Sequence, residues 1–158
     1  MKWRKASVIV GTVVVGVLIA LAVLRPRLDQ GSGRLLRPDD GRLVAQGRQV
    51  YAVRCAACHG QRLEGQPNCR SPGPDGRFPA PPHDASGHTW HHPDDLLFRI
   101  TKFGVAKAAN LKDHPSTMPA FEGQLSDQEI VAALSWIKSQ WPPQIRAQHD
   151  RMNEPTQP

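Results

Sequence analysis

Two cysteines separated by two residues, and followed at once by a histidine, restrict what this chain can fold into more than any other feature. The run is Cys55-Ala56-Ala57-Cys58-His59. Two thiols at this spacing, where the chain turns into a helix, can form thioethers with the two vinyl groups of one haem. The next residue can then present its imidazole to the iron. We therefore predict one covalent haem c, attached by Cys55 and Cys58, with His59 as an axial ligand.

Two other uses of the cysteine pair fit the sequence less well. A structural zinc site needs two further ligands in a matching cluster, and Cys69 is the one cysteine that remains. A redox pair of the thioredoxin type follows a strand in a βαβ pattern, which the sequence lacks. Cys69 is then an odd cysteine, which we expect to be an inert, at least partly buried thiol rather than half of an intermolecular disulfide.

The second axial ligand is predicted from the few methionines. Of the three, one is the initiator and Met152 lies in a polar tail, whereas Met118 opens the rigid run Met118-Pro119-Ala120-Phe121. A lone methionine is more often a filler of core gaps, and His114 is a reserve ligand four residues earlier. We predict that Met118 binds the iron. With both axial positions filled, the protein is expected not to be an enzyme.

The N-terminal segment predicts a membrane anchor. Residues 6–24 carry no charge, and as a helix these 19 residues would reach about 28 Å, enough to cross a bilayer. Lys2, Arg4 and Lys5 precede them, which keeps the N-terminus in the cytoplasm. A cleaved signal peptide is the competing interpretation, because Ala20-Leu21-Ala22 suits a signal peptidase. We expect a single-pass anchor at 1–24 in a bacterial inner membrane, with the haem domain on the periplasmic side.

Charge and composition describe the remainder. The formal net charge of the chain is +6, but beyond residue 24 there are 17 basic and 14 acidic side chains, which is too weak a balance for nucleic-acid binding. Residues 25–38 are charged and rich in glycine, and are predicted to be a linker. The range 39–142 is predicted to be one domain, and 143–158 a polar C-terminal tail. Hydrophobic residues make up only 39% of the chain, so a large buried cofactor would complete a thin core.

The domain is predicted to be all-α, with three to four helices wrapped around one haem. Helical patterns run from a cap at Asp39 or Asp40 through His59, from Pro93 at the first helical position to the stop at Gly104, and from the capping box at Ser126 to the prolines at 142–143. Between the first two, residues 64–82 contain six prolines and three glycines. Such a long irregular loop is unusual in a compact domain unless it wraps something or carries function.

These motifs together resemble class I c-type cytochromes. The resemblance rests on Gly47, Tyr51, the CAACHG run at 55–60, the MPAF run at 118–121 and the LSDQEIVAALSWIKSQW ending at 125–141, and it covers roughly residues 40 to 141. It implies a small membrane-anchored mono-haem cytochrome whose fold is the cytochrome c-like domain.

The resemblance also implies two structural contacts. The first and last helices of the family cross closely, which here would set Gly47 and Tyr51 against the three residues Leu134, Trp136 and Ile137. A proline carbonyl of the family accepts a hydrogen bond from the haem histidine, and Pro81 or Pro82 is the candidate.

The expected function is transfer of single electrons. The donor would be a quinol-oxidising complex or a dehydrogenase, and the acceptor a terminal oxidase or reductase. The alternative is a haem-containing accessory protein that also binds copper or zinc through the segment from His83 to His92, which contains four histidines: His83, His88, His91 and His92. We expect no such second metal, because no acidic or sulfur ligand completes that group.

Overall fold

The computed structural model describes residues 34–112 and 115–154 of the 158-residue chain. Within these ranges the protein is helical and contains no strand. The helices are α1 Gly41–Arg54, α2 Ala56–His59, α3 Asp94–Phe103, α4 Val105–Ala108, α5 Asp127–Ser139 and α6 Pro143–Met152, with one 3₁₀ turn at Thr89–His91. The expected membrane span at 6–24 and the reserve ligand His114 lie outside the described residues. None of the described helices is long and apolar enough to cross a membrane.

Helix α1 begins where the sequence predicts but ends earlier. The Asp40 side chain caps it by accepting a hydrogen bond from the backbone of Leu43, at 3.1 Å. The predicted helix continued to His59, whereas the structure interrupts it at Cys55. There φ is −119°, far from the helical value of about −63°. The chain then resumes as the separate turn α2, which carries the second cysteine and the histidine.

Helices α1 and α5 cross closely, as the resemblance implies. A Cβ atom at Gly47 would collide with the backbone carbonyl of Ala132, so only glycine fits at this point. One turn later the rings of Tyr51 and Trp136 lie 4.5 Å apart between centroids. The predicted contact of Tyr51 with Trp136 is thus confirmed. The contact of Gly47 with Ala132 was not predicted.

The ends of α3 and α5 follow from their capping residues. In α3, Pro93 is the N-cap rather than the first helical residue, so the prediction was wrong by one position, and Gly104 ends the helix with φ of 83°. In α5, the predicted capping box is confirmed: the Ser126 hydroxyl accepts from the backbone of Glu129, whose carboxylate accepts from the backbone of Ser126. Helix α5 is consequently held at a fixed start beside the Met118 loop.

The C-terminal region differs from the expected polar tail. Helix α5 ends at Ser139, so Trp141 lies outside the helix that was predicted to continue to Pro142. Pro143 starts α6, because proline suits the first turn of a helix. His149 on α6 is fully buried. The end of the expected linker is also part of the domain, since the Leu36 side chain is buried in the core. The folded unit therefore has more helical segments than the three to four predicted.

A buried ionic cluster joins α6 and the residues near Leu36 to the rest of the domain. It consists of Asp94, Lys138, His149 and Asp150. The Lys138 ammonium, fully buried, lies 2.7 Å from Asp150 and 3.8 Å from Asp94. The second carboxylate oxygen of Asp94 accepts from the backbone of Leu36 at 2.9 Å. Burial, followed by the Lys138 cation, lowers the pKa of His149. His149 is therefore neutral at pH 7, and its Nε2 donates to the His92 carbonyl at 3.0 Å.

Candidate haem site

All four predicted site residues line one cavity. It has a volume of about 850 Å³, within the range of roughly 300–1,000 Å³ that is typical of ligand pockets. Cys55, Cys58 and His59 reach it from the end of α1 and from α2, and Met118 reaches it from the loop before α5. The structure thus brings together residues that are separated by about sixty positions in the sequence.

The rest of the cavity wall is mostly apolar. Helices α3 and α5 and the loop between them contribute Leu97, Ile100, Phe121, Leu134 and Ile137. The proline-rich loop, residues 64–82, contributes its residues 78–82 to the wall. The loop at residues 64–82, which was predicted to be irregular, has no helix in the structure. Part of it forms a wall of the cavity.

His59 is held as a neutral imidazole. Its Nδ1 donates to the Pro81 carbonyl at 2.9 Å, so Pro81 rather than Pro82 is the proline that contacts this histidine. Burial lowers the pKa of His59, and the hydrogen bond to Pro81 only partly opposes that effect. Since Nδ1 carries the proton, Nε2 has a free lone pair and is available as a metal ligand.

The turn after His59 is fixed by its backbone. The Tyr51 hydroxyl donates to the Gly60 carbonyl at 2.8 Å, and the backbone amide of Gly65 donates to the His59 carbonyl at 2.8 Å. Gly60 has φ of 82°, a conformation that other residues rarely adopt. These contacts hold His59 against α1 on one side and against the proline-rich loop on the other.

The two cysteines differ in their surroundings. Cys55 is partly buried and Cys58 is exposed. Burial, and to a lesser degree the Cys58 thiol, raises the pKa of Cys55 to about 11, so this thiol keeps its proton at neutral pH. Cys69 is partly buried, as expected, and it also lines the cavity.

The loop that carries Met118 is tied to α3. The backbone amides of Phe121 and Glu122 donate to the carbonyls of Thr101 and Lys102, at 3.1 and 2.9 Å. Met118 itself is partly buried. Met152 lies at the far end of α6, is 39% exposed and is not among the cavity-lining residues.

A comparison with known families agrees with this geometry. The family model described as cytochrome c oxidase, cbb3-type, subunit III matches residues 42–137, which is more than half of the chain. The chain belongs to this family. The resemblance to class I c-type cytochromes is thereby confirmed, and the domain is a cytochrome c domain, whose class of function is haem-based electron transfer.

The residues of this cytochrome c domain fit the haem that the family implies. The cavity offers two thiols and a neutral imidazole at one wall, a thioether on another segment, and apolar side chains between them. A haem bound there would supply one-electron redox chemistry at its iron. Protein cores are normally close-packed, so an apolar cavity of this size is best explained by a cofactor that fills it.

The rings of the histidine segment stack on different partners. The His83 ring stacks on the His59 ring at 4.0 Å, whereas His91 stacks on Trp90 at 3.7 Å. Among residues 34–112 and 115–154, no three histidine, cysteine, aspartate or glutamate side chains are grouped so as to hold a metal ion. The contact between His83 and His59 joins residues 24 positions apart in the sequence, so no local pattern predicted it.

Proposed function

We propose that this protein carries single electrons through one haem c that is attached by Cys55 and Cys58 and bound axially by His59 and Met118. The observation that carries the proposal is the single cavity that all four side chains line. The spacing of the two cysteines matches the two vinyl groups of one haem.

Each residue has a defined task in this proposal. His59 offers Nε2 to the iron while its Nδ1 donates to the Pro81 carbonyl, which sets the tautomer and makes the ligand more basic. The thioether of Met118 favours ferrous iron and so raises the reduction potential. Because the two axial positions are filled, no position is left open for a substrate, and we propose a carrier rather than an enzyme.

The surroundings of the protein are also part of the proposal. An anchor at residues 1–24 would hold the domain on the periplasmic side of a bacterial inner membrane and limit its diffusion to the membrane plane. The description of the family as an oxidase subunit supports a terminal oxidase as acceptor. A reductase is the other acceptor, and a quinol-oxidising complex or a dehydrogenase would be the donor.

Covalent attachment is tested by the intact mass of the protein and by acid–acetone extraction. The full chain should carry the mass of one haem, and the haem should stay with the denatured polypeptide. The double variant Cys55→Ala/Cys58→Ala should release it, whereas Cys69→Ala should retain it, because Cys69 lines the cavity without belonging to the CxxCH motif. Haem extracted from the wild-type chain would contradict the c-type assignment.

The membrane assignment is tested separately. The protein should stay in the membrane fraction after a high-salt wash and dissolve only in detergent. Its N-terminal peptide, identified by mass spectrometry, should include residues 1–24. A mature chain that begins at Val23 would instead establish a cleaved signal peptide.

A further inference from the structure

His83 is fixed from three directions although it belongs to an irregular segment. Its backbone amide donates to the Leu63 carbonyl at 2.8 Å, and its carbonyl accepts from the Trp141 indole at 2.7 Å. Its Nδ1 is hydrogen-bonded to the Thr89 hydroxyl at 2.7 Å, so the torsion of the ring is set as well. Thr89 is itself buried. The backbone of His83 is thus held at both its amide and its carbonyl, and the Thr89 hydroxyl orients the ring.

The ring that is held in this way lies flat on His59. The two ring centroids are 4.0 Å apart and the planes are inclined by only 22°. The Tyr51 ring is oriented edge-on to His83, with the two centroids 6.5 Å apart. His83 also lines the cavity. It therefore restricts rotation of the His59 ring about the bond to its own Cβ, which the single hydrogen bond to Pro81 does not fully prevent.

We propose that His83 is a positioning residue that sets the plane of the His59 ring, and that Thr89 acts through it by locking the His83 ring. The inference rests on the proposed function, because His59 matters in this way only as an iron ligand. The orientation of an axial imidazole about the iron–nitrogen bond, together with that of the opposite ligand, sets how the unpaired electron of a ferric haem is distributed over the porphyrin. Groups outside the ligand set commonly control that orientation.

A histidine suits this place because its flat ring can stack on His59 while its Nδ1 bonds to the Thr89 hydroxyl. Neither a leucine nor an alanine at this position would have a polar group with which Thr89 could fix its orientation.

The experiment uses the full-length ferric protein and two pairs of variants. His83→Ala removes the stacked ring, and its matched control is His91→Ala, an exposed histidine of the same segment that stacks on Trp90 instead. Thr89→Val removes the hydroxyl but keeps the shape of the side chain, and Thr89→Ser restores the hydroxyl. The readouts are the paramagnetically shifted haem-methyl resonances in the proton spectrum and the g values of the ferric haem.

We expect His83→Ala and Thr89→Val to change the spread and order of the haem-methyl shifts, with the larger change for His83→Ala. His91→Ala and Thr89→Ser should keep the wild-type pattern. Unchanged methyl shifts in Thr89→Val, or changes no larger than in His91→Ala, would overturn the positioning role. Valine has nearly the same shape as threonine, so Thr89→Val should fold. It therefore tests the positioning role even if His83→Ala fails to fold.

Haem attachment distinguishes the two possible failures. A wild-type chain without covalent haem overturns the proposed function, and this inference with it. A chain with covalent haem and an iron–sulfur bond, but with methyl shifts that do not respond to position 83 or 89, overturns this inference alone.

Discussion

Helix α5 separates two regions that are stabilised in different ways. Leu134 and Ile137 face an apolar cavity whose polar groups come from other elements, whereas Lys138 belongs to the buried ionic cluster. In the cavity region the polypeptide leaves space that a cofactor is proposed to fill. In the cluster region, the buried Lys138 ammonium lies between the Asp94 and Asp150 carboxylates, and little depends on a ligand.

The difference shows how one short helix can serve both stability and function. The ionic cluster attaches α6 and the residues near Leu36 to α3 and α5. The cavity region sets the properties of the iron site. Changes in the cluster should therefore alter the free energy of unfolding with little effect on the haem spectrum, and changes in the cavity should do the reverse.

The largest effect is expected for Lys138→Met in the cluster. This change leaves the Asp94 and Asp150 carboxylates without the buried ammonium that lies between them. Loss of one partner from a buried ionic group costs about 3–5 kcal/mol. Urea unfolding of the full chain should show a loss of that size, with the haem spectrum kept.

The matched control is Lys102→Met, which removes a lysine whose partner Asp127 is 64% exposed. It should cost at most about 1 kcal/mol, because exposed ion pairs contribute little. Asp94→Asn added to Lys138→Met should recover part of the loss. Equal losses in the two lysine variants would refute the claim that the buried cluster is the stabilising region.

The next largest loss of stability is expected at the crossing of α1 and α5. Gly47→Ala places a methyl group against the Ala132 carbonyl and forces the helices apart, at a cost of about 1–3 kcal/mol. Gly41→Ala is the control, since a Cβ atom there meets nothing within 4 Å. Thermal unfolding of both variants measures the difference. Equal stability would show that the crossing is looser than the structure indicates.

The smallest of the stability effects is the pH dependence that His149 adds. Its pKa is lowered in the folded state, so the unfolded chain binds more protons, and stability is lost as the pH falls below the ordinary value of about 6.5. One such group changes the free energy of unfolding by at most about 1.4 kcal/mol per pH unit. His149→Gln should flatten the curve between pH 7 and 5. A wild-type curve as flat as that of the variant would show that His149 is not buried as a neutral base.

The sequence predicted the residues of the cavity region but not those of the ionic cluster. The CxxCH motif, the Met118-Pro119 pair and the Ser126 capping box are local patterns, each readable within a few residues, and the structure places the first two at one cavity. The ionic cluster depends on residues from α3, α5 and α6 that are far apart in sequence, so no local pattern indicated it. His149 stands among polar neighbours and was therefore assigned to a tail. The Pro142-Pro143 pair could have been recognised as the start of a further helix.

The reduction potential and visible spectrum of Met118→Ala, set beside those of Met152→Ala, test the central claim most directly. Met118 lines the cavity, and Met152 lies at the end of α6 outside it. We predict that Met118→Ala loses the weak red absorption band of ferric iron–sulfur ligation, lowers the potential and lets the ferrous haem bind carbon monoxide. Met152→Ala should match the wild type in all three. An unchanged band and potential in Met118→Ala would contradict the proposed ligand pair, and so would rapid carbon monoxide binding by the wild-type protein.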